Sequence, residues 1–284
     1  MPKVSIVITC YNYGKYITGC LDSVLKQTFQ DLEIIIINDG STDNTDEVIG
    51  HYLRQPKIKY IKQNNFGQAN AKNRGIKNTS GSLIAFLDAD DVWEKDKLEK
   101  QIPLFDNENV GVVYSRARYI DEVGREIPFK RESRYLKPRS GFVTKFLLLD
   151  NFVPFSSSIV RKECIDRAGL FDESIVMGID WDLWLRISVS YQFDYVNEPL
   201  LVYRLGHTGQ MSKNVEMRIL CADRIMAKFL TSNRSIIDPW FLRRVLNYNY
   251  INRGEFYRSS DISLSTRFFL KAIKQWPLSV DSYK

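Results

Sequence analysis

Four short apolar runs, each ending in a polar tip, leave this chain few folds to choose from. Val4-Ser5-Ile6-Val7-Ile8-Thr9 ends at Tyr11-Asn12-Tyr13-Gly14, and Leu32-Glu33-Ile34-Ile35-Ile36-Ile37 ends at Asn38-Asp39-Gly40-Ser41. Ile58-Lys59-Tyr60-Ile61 ends at Gln63-Asn64-Asn65-Phe66-Gly67, and Ser82-Leu83-Ile84-Ala85-Phe86-Leu87 ends at Asp88-Ala89-Asp90-Asp91. Runs apolar on both faces read as strands that are covered on both sides. The segments between them carry helical spacing, at about 17–26, 45–53 and 69–78. Strands and helices alternating at these lengths give right-handed βαβ units and a parallel sheet. In such sheets ligands bind beyond the carboxyl ends of the strands. This chain places its aromatic, amide and carboxylate groups at those ends.

The fourth tip is the richest in charge. Side chains two apart on an extended segment share a face, so Asp88 and Asp90 point together and Ala89 points back. Carboxylates this close repel each other unless a cation lies between them. Mg²⁺ and Mn²⁺ choose such oxygens and share them with substrate phosphates. A solvated acidic turn, with Asp91 capping a helix through Trp93-Glu94-Lys95, accounts for the same residues. The company of three other polar strand tips favours a nucleotide site.

The other tips supply its parts. Tyr11, in a turn with Asn12 and Gly14, has a ring suited to stacking on a flat base. Asp39 is redundant with Ser41 and Asp43 as a helix cap, which favours a role on base or ribose. Lys72 and Arg74 open a helix after Gly67, where cations and free backbone N–H groups suit a diphosphate. Either cation also reads as a solvated helix residue.

Beyond residue 100 the pattern continues less regularly. Val110-Gly111-Val112-Val113-Tyr114 resumes the sheet, and 119–139 reads as a charged loop over the acceptor side. Phe155-Ser156-Ser157-Ser158-Ile159-Val160 reads as a strand, followed by a helix from Lys162 to Arg167 with Gly169 just past its end. Residues 180–190 carry Trp181, Trp184, Leu185 and Ile187 at helical spacing. From about Val215 the chain reads as helical to its end. The expected organisation is a nucleotide-binding half (1–100), a second half (101–214) and a helical C-terminal region (215–284).

These segments together resemble the family 2 glycosyltransferases, which share the GT-A fold. The resemblance rests on Val4–Asn12, which includes Thr9, and on 35–45, 67–76 and 85–91. It continues through Gly178-Ile179-Asp180-Trp181-Asp182-Leu183-Trp184-Leu185-Arg186 and Tyr203-Arg204-Leu205-Gly206-His207. It implies an α/β fold of two abutting Rossmann-like halves around a mostly parallel sheet, with a C-terminal helical extension. It also implies sugar transfer from a nucleotide diphosphate donor, with inversion at the anomeric carbon, and makes 1–100 the nucleotide-sugar-binding half and 101–214 the acceptor-binding half. By resemblance the nucleotide, UDP first and dTDP next, is met by Thr9, Tyr11, Asn12, Asp39, Gly67, Lys72, Arg74 and Asp88. Asp90 and His207 would hold Mn²⁺ or Mg²⁺, and Asp180 would be the general base. The chain departs from the family in three places: Lys72 stands where Arg is usual, Ile179 where Glu is usual, and Gly206 lengthens the segment before His207.

Composition sets the remaining bounds. The 284 residues are 44% hydrophobic and 26% charged, enough for a large core, and no apolar run reaches membrane-span length. The start runs straight into a strand and reads as having no signal peptide. Cys10, Cys20, Cys164 and Cys221 have no metal or disulfide spacing, which points to reduced thiols in a cytoplasmic protein. The net charge of +6 concentrates at Arg116 and Arg118, at Lys130-Arg131, Arg134, Lys137 and Arg139, and in an aromatic-rich tail with Arg234, Arg243-Arg244, Arg253 and Arg258. Such a tail fits the anionic inner face of the cytoplasmic membrane or a lipid-linked saccharide acceptor, and equally a small helical core with solvated cations. No recognition motif accompanies it, which argues against nucleic acid. Two other functions stay open at this stage. A nucleotidyltransferase would want a Gly-rich basic loop after the first strand, where Tyr11-Asn12-Tyr13-Gly14-Lys15 is poor in both. In a non-catalytic nucleotide- or sugar-binding module the acids would serve only as caps.

Overall fold

The computed structural model describes residues 2–128, 137–207 and 214–277. Four strands, β1 (Val4–Cys10), β2 (Leu32–Asn38), β3 (Ile58–Lys62) and β4 (Leu83–Asp88), run parallel in the order β3-β2-β1-β4. They are linked by α1 (Ile17–Leu25), α2 (Thr45–Gly50) and α3 (Gln68–Lys77). The register aligns Thr9 with Ile37 and with Asp88, so the tips of β1, β2 and β4 end side by side.

Strand alternation decides which face each residue covers. Ile6, Ile8, Ile34, Ile36, Ala85 and Leu87 point to one face and pack with Ile17, Cys20, Leu21 and Val24 of α1. Val7, Ile84 and Phe86 point to the other face, into a larger core that includes Trp184 and Phe193. Gly75 lets α3 lie close against β1, since a Cβ there would stand 2.3 Å from Val7 Cγ1.

The sheet continues past β4 through β8 (Ile159–Arg161), β6 (Val110–Ile120), β9 (Gln192–Arg204) and the short β5 (Val92–Trp93), and β7 (Glu126–Ile127) folds back on β6. β8 is antiparallel to β4 and β6, whereas β6 and β9 are parallel. The fold is therefore the mixed α/β architecture with a mostly parallel sheet that the sequence implies. Around it lie α4 (Lys97–Gln101), α5 (Thr144–Leu147), α6 (Lys162–Ala168), α7 (Ile179–Ser188) and three C-terminal helices: α8 (Val215–Asn233), α9 (Pro239–Tyr257) and α10 (Ile262–Gln275). No helix among the described residues is long and apolar enough to cross a membrane.

Four local expectations change. Asp91 caps no helix: Val92 and Trp93 pair with Val202 and Leu201 of β9, and the next helix begins at Lys97. The expected strand from Phe155 shrinks to Ile159–Arg161, because Phe155–Ser157 forms a helical turn. Its hydroxyls turn back on local carbonyls, Ser157 on Pro154 O (2.7 Å) and Ser158 on Phe155 O (2.6 Å), which competes with the ladder. The charged stretch from Tyr119 begins as ordered sheet, with β6 reaching Ile120 and β7 returning at Glu126, while 129–136 lie outside the described residues. The thirteen-residue β9 is unanticipated, since Glu198-Pro199 interrupts it and the register with β6 shifts between Ser115 and Ala117.

Candidate active site

The strand tips open into a cleft of about 1710 Å³. Its lining includes Thr9, Tyr11, Asp39, Gly67, Lys72, Asp88, Asp90 and Asp180. Eight positions from strand tips, loops and the helices α3 (Gln68–Lys77) and α7 (Ile179–Ser188), separated by up to 171 residues in sequence, thus meet around one space beyond the strand tips of the sheet.

The β1 tip is a braced loop. Asn12 adopts a left-handed backbone (φ 61°) and its Oδ1 accepts from Thr42 N at 2.8 Å. Asn12 N donates to Ser41 Oγ (2.9 Å), Tyr13 N to Thr45 Oγ1 (3.1 Å) and Gly14 N to Asp43 Oδ2 (3.1 Å). Asn12 therefore ties two loops together and does not line the cleft. Those three N–H groups are spent on side chains, so this loop has no free cradle for phosphate. Tyr11 stands beside it, 44% exposed at the cleft edge.

Asp39 is buried and fully engaged. Its Oδ1 accepts from Gln63 Nε2 (2.7 Å) and Phe66 N (3.0 Å), and its Oδ2 accepts from Gly67 N (2.9 Å). The carboxylate thus pins the loop between β3 and α3, where Gly67 takes φ 88° as the residue before the helix. That loop presents Phe66, 64% exposed and facing the cleft, an aromatic the sequence reading passed over. Gln63 also accepts from Arg74 Nη1 (3.0 Å), and Arg74 borders a separate shallow depression instead of the cleft.

At the β4 tip each acid has a different partner. Lys72 is buried and donates to Asp88 Oδ1 (2.7 Å) and Thr9 Oγ1 (3.0 Å), with its ammonium 4.7 Å from the Phe155 ring centre. Asp90 Oδ2 lies 2.8 Å from His207 Nε2, and the imidazole packs against Tyr13 and Tyr16. Asp91 is buried and its Oδ1 accepts from Arg204 N (3.0 Å). Burial, then the Asp90 and Asp88 charges, push the Asp91 carboxyl well above the ordinary range. Burial and the same acids push up the hydroxyls of Tyr13 and Tyr203. The site is strongly electronegative at its floor.

This donor set suits a hydrated divalent ion. Among the described residues there is no group of three or more His, Cys, Asp and Glu able to hold a metal alone. Mg²⁺ and Mn²⁺ need no such cage, because they keep waters and take ligands from substrate phosphates. Asp90 and His207, hydrogen-bonded to each other at 2.8 Å, are the carboxylate oxygen and ring nitrogen that would hold such an ion.

Across the cleft Asp180 opens α7, preceded by Gly178 in the left-handed region (φ 77°). Asn151 Nδ2 donates to Asp180 Oδ2 at 2.7 Å. Burial raises the Asp180 carboxyl above its ordinary range, opposed by the Asn151 hydrogen bond and helped by the charge of Asp88. Asp182, two residues on, is held by Arg186 (2.7 Å) and by Lys228 of α8 (2.8 Å), which fixes the start of α7.

Residues 5–166 match the profile of Glycosyl transferase family 2. The chain belongs to that family. An uncharacterized glycosyltransferase of Rickettsia typhi is 36% identical over 201 residues, 68% of this chain and 62% of that protein, so the chain spans less than two thirds of that relative. Among solved structures, S. aureus TarS 1–349 in complex with UDP-GlcNAc is similar at a TM-score of 0.65 and 18% identity, covering 98% of this chain and 93% of that one. A mannosyltransferase of Pyrobaculum calidifontis in complex with GDP-Man and Mn²⁺ matches at 0.61 and 16%, covering 98% and 88%. At these identities the two structures establish the shared GT-A fold. The matched family is one of glycosyl transferases and not of nucleotidyltransferases.

Proposed function

We propose that this family 2 glycosyltransferase is an inverting enzyme that moves a sugar from a UDP-sugar to a glycan or lipid-linked saccharide. The observation that carries the reading is the single cleft holding Tyr11 and Asp39 at one end, Asp88 and Asp90 at its floor, and Asp180 across from them. Tyr11 stacks on the uracil, with Phe66 as a second ring on the same cleft. Asp39 acts through the loop it pins, setting Gly67 and Phe66 around the nucleotide. Asn12 and Arg74 brace that end without touching the donor.

Asp90 and His207 are the residues that would hold Mn²⁺ or Mg²⁺, with Asp88 and its Lys72 partner next to them. Such an ion, when bound, supplies positive charge to the leaving nucleoside diphosphate. Asp180 takes the proton from the attacking acceptor hydroxyl, from the face opposite the departing diphosphate, which inverts the anomeric centre. Its raised carboxyl makes it a better base than an ordinary aspartate, and Asn151 aims it. The complexes of TarS 1–349 with UDP-GlcNAc and with UDP support a uridine donor by likeness of fold. The structure solved with GDP-Man supplies the second reading, a guanosine donor.

We assign residues 1–100 to the donor half, 101–214 to the acceptor half and 215–284 to the helical region. Four buried, unpaired cysteines support a reducing, cytoplasmic setting. The test is a panel of UDP-, dTDP- and GDP-sugars, assayed for transfer and hydrolysis with Mn²⁺, with Mg²⁺ and in EDTA. NMR of the released sugar reports the anomer. UDP-sugars turned over with inversion, and only with metal, are expected. Use of GDP-sugars alone would move the donor assignment to the second reading.

A further inference from the structure

The C-terminal hairpin carries a surface that the cleft does not use. Between 238 and 276 the chain has seven basic residues, Arg243, Arg244, Arg253, Arg258, Arg267, Lys271 and Lys274, against three acids. All three acids are occupied within the hairpin. Asp238 caps α9 through Phe241 N (2.8 Å), Asp261 caps α10 through Leu264 N (2.9 Å), and Glu255 pairs with Arg258 (3.5 Å). Arg253 pairs with Asp223 of α8 and borders the cleft, while Arg243, Arg244, Arg267, Lys271 and Lys274 lie on the outside. On α10, Ala272 and Ser265 face inward, while Ile262, Arg267, Leu270, Lys271 and Lys274 are exposed at helical spacing. On α9, Trp240, Arg243 and Arg244 share one exposed face at i, i+3 and i+4.

The two faces join at one end. Trp240 is 64% exposed and meets Trp276 edge-on, ring centres 6.2 Å apart, with the Arg243 guanidinium 5.3 Å from the Trp240 ring. Leu270 and Ile262 are 60% and 72% exposed among the cations. Exposed indole and aliphatic groups set between Lys and Arg, with no free acid, are the chemistry of a helix lying at a lipid headgroup boundary.

We propose that the outer face of the α9–α10 hairpin docks on an anionic lipid bilayer through Trp240, Arg243, Arg244, Leu270 and Lys274. Charge complementarity selects this occupant: the cations attract acidic headgroups, and Trp240 and Leu270 enter the boundary beneath them. A second copy of the chain would bring an equally basic face to the same patch. The proposal stands apart from the transferase reading, since none of these five residues lines the cleft.

The experiment is co-sedimentation of the full chain with phosphatidylcholine vesicles and with vesicles containing phosphatidylglycerol, at low and high salt. Binding to the anionic vesicles alone, weakened by salt and accompanied by a blue shift of Trp fluorescence, is expected. Combining Arg243→Glu and Lys274→Glu should reduce that partitioning at least about tenfold, since each charge near an acidic surface is worth about fivefold. Trp240→Ala should weaken it with the salt dependence retained, and UDP affinity should stay that of the parent in every variant. Equal binding to neutral vesicles, or none to anionic ones, overturns the proposal. So does a dimer in sedimentation that the charge reversals dissolve.

Discussion

Asp39 and Asp90 lie at the tips of β2 and β4, on either side of β1, yet they are built for different work. Asp39 is surrounded by donors on neutral groups: two backbone N–H groups and an amide satisfy both its oxygens. Asp90 sits among like charges, with Asp88 and Asp91 on the same short tip and, among the described residues, His207 bonded to its carboxylate. A carboxylate saturated by fixed dipoles has little left for a ligand and serves as a brace. A carboxylate in an acidic cluster gains most from an added cation. The first holds the loop between β3 and α3 in shape, and the second is the place where the proposed cation would be held.

The largest effect expected from breaking this contrast is at Asp90. Asp90→Ala should abolish transfer and the metal-dependent part of UDP binding, read by turnover and by titration calorimetry with and without Mn²⁺, while circular dichroism stays native. Full activity in that variant, or parent-level activity in EDTA, would falsify the metal assignment. Asp180 comes next. Asp180→Asn should lower kcat by about 10²–10⁴ with UDP affinity unchanged, since a base on the acceptor side touches the hydroxyl alone. A matching loss of UDP binding would place Asp180 in the donor site instead.

The pH profile sharpens that assignment. The base works ionised, so activity falls as pH drops through its carboxyl value, which burial has raised. The acid limb should therefore lie above the range of an ordinary aspartate, about 3.9. Asn151→Ala removes the hydrogen bond that opposes the rise, so the limb should move further up in pH. A limb that moves down means that Asn151 does not tune this group. The same shift acts on stability: because folding raises the Asp180 value, its contribution is complete below the unfolded value and is lost as pH rises through the folded one. Asp172, held well below its ordinary range chiefly by hydrogen bonds from Lys228 and Ser174 against the cost of burial, behaves oppositely. Its contribution is present above the unfolded value and is lost as pH falls through the folded one.

Smaller effects test the brace. Asp39→Asn places an NH₂ group against backbone donors, so it should lower stability by about 1–3 kcal/mol and weaken UDP binding more than it slows kcat. Thermal melting and UDP titration separate the two. Arg74→Ala should be the mildest, within about twofold of the parent in turnover, because Arg74 is exposed, hydrogen-bonds the Gln63 amide and borders a depression apart from the cleft. A large loss there would return Arg74 to the diphosphate.

Much of the fold was legible because its signals are local. The runs at Val4, Leu32, Ile58 and Ser82 announce their strands as short apolar stretches of about six residues, and the polar tips that follow mark the edge where the cleft opens. Lys162 to Gly169 likewise carries its own helix and its own stop. Where hydroxyls could serve either ladder or turn, as at Ser156 to Ser158, the sequence was ambiguous and the turn prevailed. Asp39, Asp88 and Asp90 stand out as candidates for the same local reason, whereas Asp180 and the pairing of His207 with Asp90 entered through the family resemblance. Local sequence supplies neither contact: His207 lies 117 positions from Asp90, and Asn151 lies 29 positions from Asp180.

The sequence by itself therefore determined the strand–helix alternation, the buried faces and the chemistry gathered at the strand tips, all consequences of periodicities of two and 3.6 residues. Tertiary structure decided what those tips do. It turned Asp39 inward onto the Phe66–Gly67 loop, led Arg74 away to Gln63, set Lys72 between Thr9 and Asp88, and carried β9 past β5 to bring His207 onto Asp90. These are contacts between segments joined by long loops, and their geometry is fixed only when the whole sheet is assembled.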